Sequence, residues 1–172
     1  PISARLTPRD GVSFEGVMTG SPSTIYLVGT DSGYGFMVKL EDTYTKNRNG
    51  KAIIKVPNNS NVLLPTKVNS IKNDWVAAVS SIGRLLMFPI SELTLLPKGK
   101  GLKVIQIPPA KLKTREEYVV AMTAMGEMDN LIIHTDKRRT IMKADEQEYY
   151  IGERGRRGSM LKRGFRNVVR IS

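Results

Sequence analysis

The sequence predicts an all-β fold built from a repeated strand unit. Three observations lead there. The apolar runs are short, rich in Val, Ile, Leu and Tyr, and broken every few residues by Gly, Pro, Asn or Asp. No stretch sustains a 3.6-residue apolar period over four turns. The hairpin-like segments can also be laid over one another at intervals of about 50 residues.

Taken in chain order, the candidate strands are Gly16–Thr19, Thr24–Thr30, Gly35–Lys39, Ala52–Lys55, Trp75–Ser80, Arg84–Pro89, Lys103–Ile107, Tyr118–Ala124, Leu131–Thr135, Arg139–Lys143 and Val168–Ile171. Asp31-Ser32-Gly33, Ser81-Ile82-Gly83 and Asp136-Lys137-Arg138 each separate two such runs and read as hairpin turns. The first two place Gly where a positive φ is wanted; the third has none. Short helical turns are expected at Leu40–Tyr44, Ser91–Leu95 and Ala144–Tyr150, and a turn at Thr114–Glu117.

Each repeat then reads as strand, tight turn, strand, acidic or polar helical turn, glycine-rich basic loop, strand. The units span about 24–63, 75–108 and 118–172, with partial strands in 1–23. Gly50, Gly101 and Gly158 take the same place in the three, 51 and 57 residues apart. A unit this small cannot bury its own apolar face, so neighbours must stack and share a core. A period of about 40–50 residues of short strands points to propeller-like blades, about three here and roughly four-stranded. The alternative is an ordinary β-barrel whose three hairpins look alike by chance. Phe36, Phe88 and Met142 are expected in blade cores, and Trp75 in core or edge packing.

Charge narrows the function. Against 16 Asp and Glu stand 27 Lys and Arg, a net +11 over 172 residues, more than solubility asks of a domain this size. A polyanionic partner follows, nucleic acid first, with ribosomal or membrane-surface roles as alternatives. There is no Cys, which excludes disulfides and Cys-ligated zinc and fits a reducing compartment. One His argues against a His-based metal site or triad; His134 reads as a hairpin residue. No apolar run approaches a membrane span. The chain starts at Pro1 without an initiator Met, which suits either a piece of something longer or removal of the Met.

The run Ser32-Gly33-Tyr34-Gly35-Phe36, followed by Lys46-Asn47-Arg48-Asn49-Gly50-Lys51-Ala52, resembles the C-terminal domain of the A subunit of bacterial topoisomerase IV. So do Gly83-Arg84-Leu85-Leu86-Met87-Phe88-Pro89-Ile90-Ser91-Glu92-Leu93 with Lys98-Gly99-Lys100-Gly101, and Thr135-Asp136-Lys137-Arg138 with Gly152-Glu153-Arg154-Gly155-Arg156-Arg157-Gly158. The resemblance covers nearly the whole chain. It implies a β-pinwheel whose blades share strands, at the end of a longer polypeptide in the bacterial cytoplasm. It also implies duplex DNA and the B subunit of topoisomerase IV as partners, with Mg²⁺ and ATP used by the parent enzyme rather than by this segment. The A subunit of the sibling enzyme, DNA gyrase, carries a box of Gln, two basic residues, two Gly, a basic residue and Gly. Nothing here reproduces that box, which favours the topoisomerase IV type. None of the six Tyr sits in a stretch resembling the family's nucleophile, and no Walker A motif is present. Catalytic and metal-binding residues are therefore expected elsewhere.

The residues expected to bind DNA are cations on or beside the glycine-rich loops, contacting phosphates with little base readout. The densest group is Lys137, Arg138, Arg139, Arg154, Arg156, Arg157, Lys162, Arg163 and Arg166; from Ile133 to Ser172 there are eleven cations and five acids. A second group is Arg84, Lys98, Lys100 and Lys103, and a third Lys46, Arg48 and Lys51. Gly50, Gly99, Gly101, Gly155 and Gly158 are candidates for close backbone approach to phosphate. Lys111, Lys113 and Arg115 read as a charged linker. The competing readings are a solvated basic face and a protein-interaction propeller docking an acidic partner.

Overall fold

The protein is described by a computed structural model covering residues 12–47 and 49–172. The expectations for 1–11 and for Arg48 lie outside the described residues. Within the described residues, eleven strands form three sheets. In the first, β1 (Ile25–Gly29) and β2 (Tyr34–Lys39) form an antiparallel hairpin flanked by β3 (Thr66–Val68) and β6 (Leu102–Lys103). In the second, β4 (Trp75–Ser80) and β5 (Arg84–Pro89) are flanked by β7 (Val119–Met125) and β10 (Ser159–Met160). The third joins β8 (Leu131–Thr135) and β9 (Arg139–Met142) with β11 (Val168–Ile171).

The connectivity shows how the repeat works. The strand that follows the glycine loop of the second and third units leaves its own hairpin and pairs with the hairpin before it. β6 lies on β2, with Lys103 opposite Tyr34 and Leu102 opposite Gly35. β10 lies on β5, with Ser159 opposite Leu85 and Met160 opposite Arg84. Neighbouring sheets are thus joined by backbone hydrogen bonds as well as by side-chain packing.

Alternation then divides the core. On the middle sheet Val76, Ala78, Leu86 and Phe88 face one cluster, shared with Leu27, Met37, Val104 and Ile105 of the first unit and its donated segment. Ala77, Val79, Leu85 and Met87 face the other, shared with Leu131, Ile133, Met142 and Val168. Both faces of this hairpin are buried, so its strands read as unbroken apolar runs. Phe36, Val38, Tyr26 and Val28 form a third cluster on the far face of the first sheet. Trp75 is half-buried against the second cluster.

Most of the expected strands are present, and the departures have local causes. Gly16–Thr19 carries no ladder; the Tyr26 hydroxyl instead holds the Thr19 peptide, accepting from its N–H at 2.9 Å and donating to its carbonyl at 2.7 Å. Ala52–Lys55 makes one parallel bridge, Ile54 to Gly99, because it runs beside the next glycine loop. Lys103–Ile107 shortens to Leu102–Lys103, since the Val104 N–H turns under the first hairpin to donate to the Gly33 carbonyl at 2.8 Å. β3 and β10 are three and two residues long, too short to show a period. The charged linker contains a one-turn helix, α1 (Pro109–Lys113), started by Pro at its first position. The expected turn at Ala144–Tyr150 is α2 (Ala144–Gln147) continued by a 3₁₀ turn. Gly33 and Gly83 take the positive φ expected of the hairpin turns.

The three equivalent loop glycines have φ near +80, +77 and +67 but different surroundings. A Cβ on Gly101 would stand 2.2 Å from the Gly35 carbonyl oxygen, and one on Gly158 2.5 Å from that of Leu85; at Gly50 nothing lies within 4 Å. Gly101→Ala and Gly158→Ala are therefore expected to cost more than about 2 kcal/mol, combining left-handed strain with backbone collision. Gly50→Ala should cost only the strain, about 1 kcal/mol. Urea denaturation of the three variants checks the order.

Candidate nucleic-acid interface

The cations divide into those that hold the units together and those that face solvent. Arg157 belongs to the first kind. Its guanidinium makes two hydrogen bonds to the Glu117 carboxylate, at 2.7 and 3.0 Å, and a third to the Gln106 carbonyl at 3.1 Å. The Glu117 side chain is fully buried. The pair locks the third glycine loop to the start of β7.

Arg154 donates to the Lys103 carbonyl at 2.8 Å and approaches Glu92 at 4.0 Å. Arg84 donates to the Gly158 carbonyl at 3.0 Å. Arg115, from the linker, pairs with the buried Asp31 of the first hairpin turn at 2.9 Å and stacks on Tyr118. These arginines serve junctions between units, and their guanidinium donors are already partly used. Arg166 keeps an exposed head but donates to the Leu161 carbonyl at 3.3 Å.

A second set is exposed with a surface partner. Arg156 meets Glu153 at 2.9 Å, and Lys162 meets Glu146 at 3.0 Å. The Lys162 hydrogen bond, with a backbone N–H from Lys143, holds the Glu146 carboxyl below its ordinary pKa, and the same bond raises Lys162. Lys51 donates to the Asp42 carbonyl, and Lys100 lies over the Tyr34 ring at 3.8 Å. The third set, Lys46, Lys98, Lys103, Lys137, Arg139 and Arg163, is exposed and makes no side-chain hydrogen bond or ion pair among the described residues.

Three of the loop glycines use their N–H groups within the fold. The Gly99 N–H donates to the Ile53 carbonyl, that of Gly155 to Val104 and that of Gly50 to Asn47. Gly101 and Gly158 press on neighbouring backbone, as described above. Their small size serves packing between units.

The third hairpin turn is different. The first two turns lie under the next unit's returning chain, where a Cβ on Gly33 or Gly83 would strike Ile105 or Arg166. The third, Asp136-Lys137-Arg138, instead borders a polar hollow of 270 Å³ shared with Gly164, Arg166 and Asn167. Arg138 stacks on Phe165, 5.4 Å from the ring centroid, so its head is partly fixed. This hollow brings Lys137, Arg138 and Arg166 together across about thirty residues of chain. Lys55, Lys67 and Lys72 are also exposed; they lie outside the basic glycine loops, so the repeat does not single them out. His134 sits within β8, 3.2 Å from the Ser172 hydroxyl and 3.3 Å from Arg170. Among the described residues no three His, Cys, Asp or Glu side chains converge as a metal site would need, and no helix is long and apolar enough to cross a membrane.

No protein-family model matches the chain. It is 45% identical over 168 residues to the A subunit of DNA topoisomerase 4 from Pseudomonas aeruginosa, covering 98% of this chain and 22% of that protein. Against the same protein of Escherichia coli K12 it is 34% identical over 171 residues, covering 99% and 22%. The chain thus spans about a fifth of the length of these relatives. The solved C-terminal domain of E. coli ParC superposes with a TM-score of 0.87 at 34% identity, covering all of this chain and 69% of that one. The C-terminal domain of DNA gyrase A shares the fold, with a TM-score of 0.74 at 16% identity, covering 97% and 55%.

Removing Arg157 strands a buried carboxylate. Arg157→Ala is expected to cost about 3 kcal/mol, against less than about 0.5 for Arg163→Ala, by chemical denaturation. Lys162→Ala should move the Glu146 titration upward, towards the ordinary carboxylate range, in an NMR pH series. Because the folded pKa of Glu146 is depressed, its ion pair persists above the unfolded value and is lost as pH falls through the folded one.

Proposed function

The chain belongs to the family of the C-terminal domain of the topoisomerase IV A subunit, and from that premise we propose that it is a non-catalytic module that binds duplex DNA for a type II topoisomerase. Its fold is the β-pinwheel of that family. The observation that carries the proposal is the division of the cations. After the inter-unit arginines are accounted for, a set of exposed cations remains without protein partners among the described residues. The hollow at the third turn gathers Lys137 of that set with Arg138 and Arg166 around one polar seat.

Phosphate oxygens suit such a surface. Lysines and arginines on short turns neutralise the backbone of a duplex without reading its bases. Lys137, Arg138 and Arg166 hold one phosphate region; Lys98, Lys100 and Lys103 on the second glycine loop, with Lys46 and Lys51 on the first, offer further contacts. Contacts to successive units favour a bent duplex, whose bending cost is offset by added phosphate contacts. Arg156, Lys162, Arg139 and Arg163 extend the cationic surface of the third unit. Arg84, Arg154 and Arg157 support it from within.

In the parent enzyme this module guides a DNA segment for strand passage. The nucleophilic Tyr, the Mg²⁺ and ATP chemistry and the partner B subunit belong to the rest of that enzyme.

A binder of this kind making about five phosphate contacts should lose about 10²–10³-fold in affinity between about 50 and 200 mM salt, with little dependence on sequence. Fluorescence anisotropy on two unrelated duplexes measures both. Lys137→Glu with Arg138→Glu should weaken binding more than Lys111→Glu with Lys113→Glu, at unchanged melting temperature. Salt-independent binding, or equal effects of the two pairs, contradicts the assignment. End-to-end energy transfer on a labelled duplex tests bending.

A further inference from the structure

Among the described residues, two besides glycine take a left-handed backbone: Asn59 at φ +58 and Arg115 at φ +59. They are 56 residues apart in the chain and touch, the Arg115 guanidinium donating to the Asn59 carbonyl at 3.2 Å. Asn tolerates this conformation; for Arg it carries a steric strain that Gly would avoid. A turn that needed only its backbone shape would carry Gly. What Arg115 adds is a side chain, and that side chain reaches Asp31 in the first hairpin turn, 84 residues back, at 2.9 Å. Asp31 is 2% exposed. The Asn61 amide donates to the same carboxylate oxygen at 3.0 Å, the other oxygen has no hydrogen-bond partner among the described residues, and Arg115 is the cation that balances the charge. The Tyr118 ring backs the guanidinium, 4.3 Å from its centroid.

At residues 115–119 all three units meet. Arg115 takes the first. The buried Glu117 takes Arg157 of the third unit's glycine loop. The Tyr118 N–H donates to the Ser81 hydroxyl at 3.3 Å, and the Ser81 N–H to the Tyr118 carbonyl at 2.8 Å, which secures the second hairpin turn. The Val119 N–H donates to the Asp31 carbonyl at 2.7 Å. The second and third units are further joined by the long β4–β7 ladder. The first sheet is completed by residues 94–105, a segment that leaves the second hairpin and can travel with it. Against the body formed by the other two units, the first hairpin is tied by hydrogen bonds from Arg115, from Val119 and from the Ala124 N–H to the Thr66 hydroxyl at 3.1 Å.

We infer that Arg115 is a positioning residue: it holds the first unit at a fixed angle to the second and third, and through that angle sets how far a bound duplex bends. The bending half rests on the proposed DNA binding; the angle does not. Lys46 and Lys51 belong to the first unit and Lys137 to the third, so a duplex that meets both follows the angle between them. A rigid angle imposes one bend. A loosened angle gives a spread of bends and lets the duplex straighten, because bending it costs energy.

The chain has no Cys, so two introduced thiols take spin labels at chosen sites only. Lys67→Cys on β3 and Glu148→Cys just beyond α2 are at exposed positions and report the distance between the first and third units without DNA. End-to-end energy transfer on a labelled duplex reports the bend. Arg115→Gly relieves the backbone and removes the side chain. Asp31→Asn combined with Arg115→Gly also removes the buried charge while keeping an oxygen for the Asn61 amide, which guards against unfolding. Lys113→Ala, the same loss of charge at an exposed position in the same linker, is the control. Both Arg115→Gly chains are expected to broaden the label distance and lower the energy transfer, with the salt slope of binding falling by about two phosphate contacts as Lys46 and Lys51 lose their hold. Lys113→Ala changes neither distance nor bend. Arg115→Lys, which keeps a charge at Asp31 but not the planar fork, falls between wild type and Arg115→Gly. A merely structural residue would lower the melting temperature and leave the distance and the bend of the folded molecule as they are; that result overturns the inference. Distances that broaden while the bend holds overturn its link to DNA. If the wild type does not bind duplex, the proposed function fails, and the label distances still decide whether Arg115 sets the angle.

Discussion

A β-hairpin with a bare outer edge has unpaired N–H and C=O groups and an apolar face it cannot bury alone. Everything else in this protein depends on how that edge is satisfied. Each of the second and third glycine loops crosses to the preceding unit and lays two residues along its second strand. Leu85, against which the crossing strand pairs, and Val104 and Ile105, which follow such a strand, are buried. The first two units cannot be stable separately, since the sheet of each is completed by strands of the unit that follows.

The crossing also explains where the arginines went. A donated strand brings backbone carbonyls and a few acids of one unit close to the loop of another. Guanidinium groups, with donors in a planar fork, satisfy several such acceptors at once. Arg157 does so between Glu117 and Gln106, and Arg154 at Lys103. Lysines, with a compact and strongly hydrated charge, stay outside: Lys46, Lys98, Lys103 and Lys137 are all exposed. A net charge of +11 is therefore not a direct measure of the surface offered to a polyanion, because part of it is committed to assembling the stack.

The third turn shows the same logic from the other side. Where a following unit covers the hairpin turn, a glycine is required beneath the crossing chain, as at Gly33 and Gly83. Where the turn borders open space, side chains fit, and the sequence there has Asp136, Lys137 and Arg138. The absence of Gly from that turn is visible in the sequence. Its meaning, an uncovered turn opening onto a cationic hollow, depends on the fold placing Gly164 and Arg166 opposite.

The sequence by itself determined the strands with strong apolar character, the two glycine turns, the 50-residue recurrence and the excess of positive charge, because each is written in local residue order. Trp75–Ser80 and Arg84–Pro89 were legible as strands from composition alone. Tertiary structure decided which hairpin each short strand joined, since Leu102–Lys103 and Ser159–Met160 have too few residues to carry a period and take their conformation from the edge they meet. It also decided which cations were free. Arg157 and Arg163 are indistinguishable in a basic run; only the position of Glu117, forty residues away in the chain and buried at the junction, makes one a clamp and leaves the other in solvent.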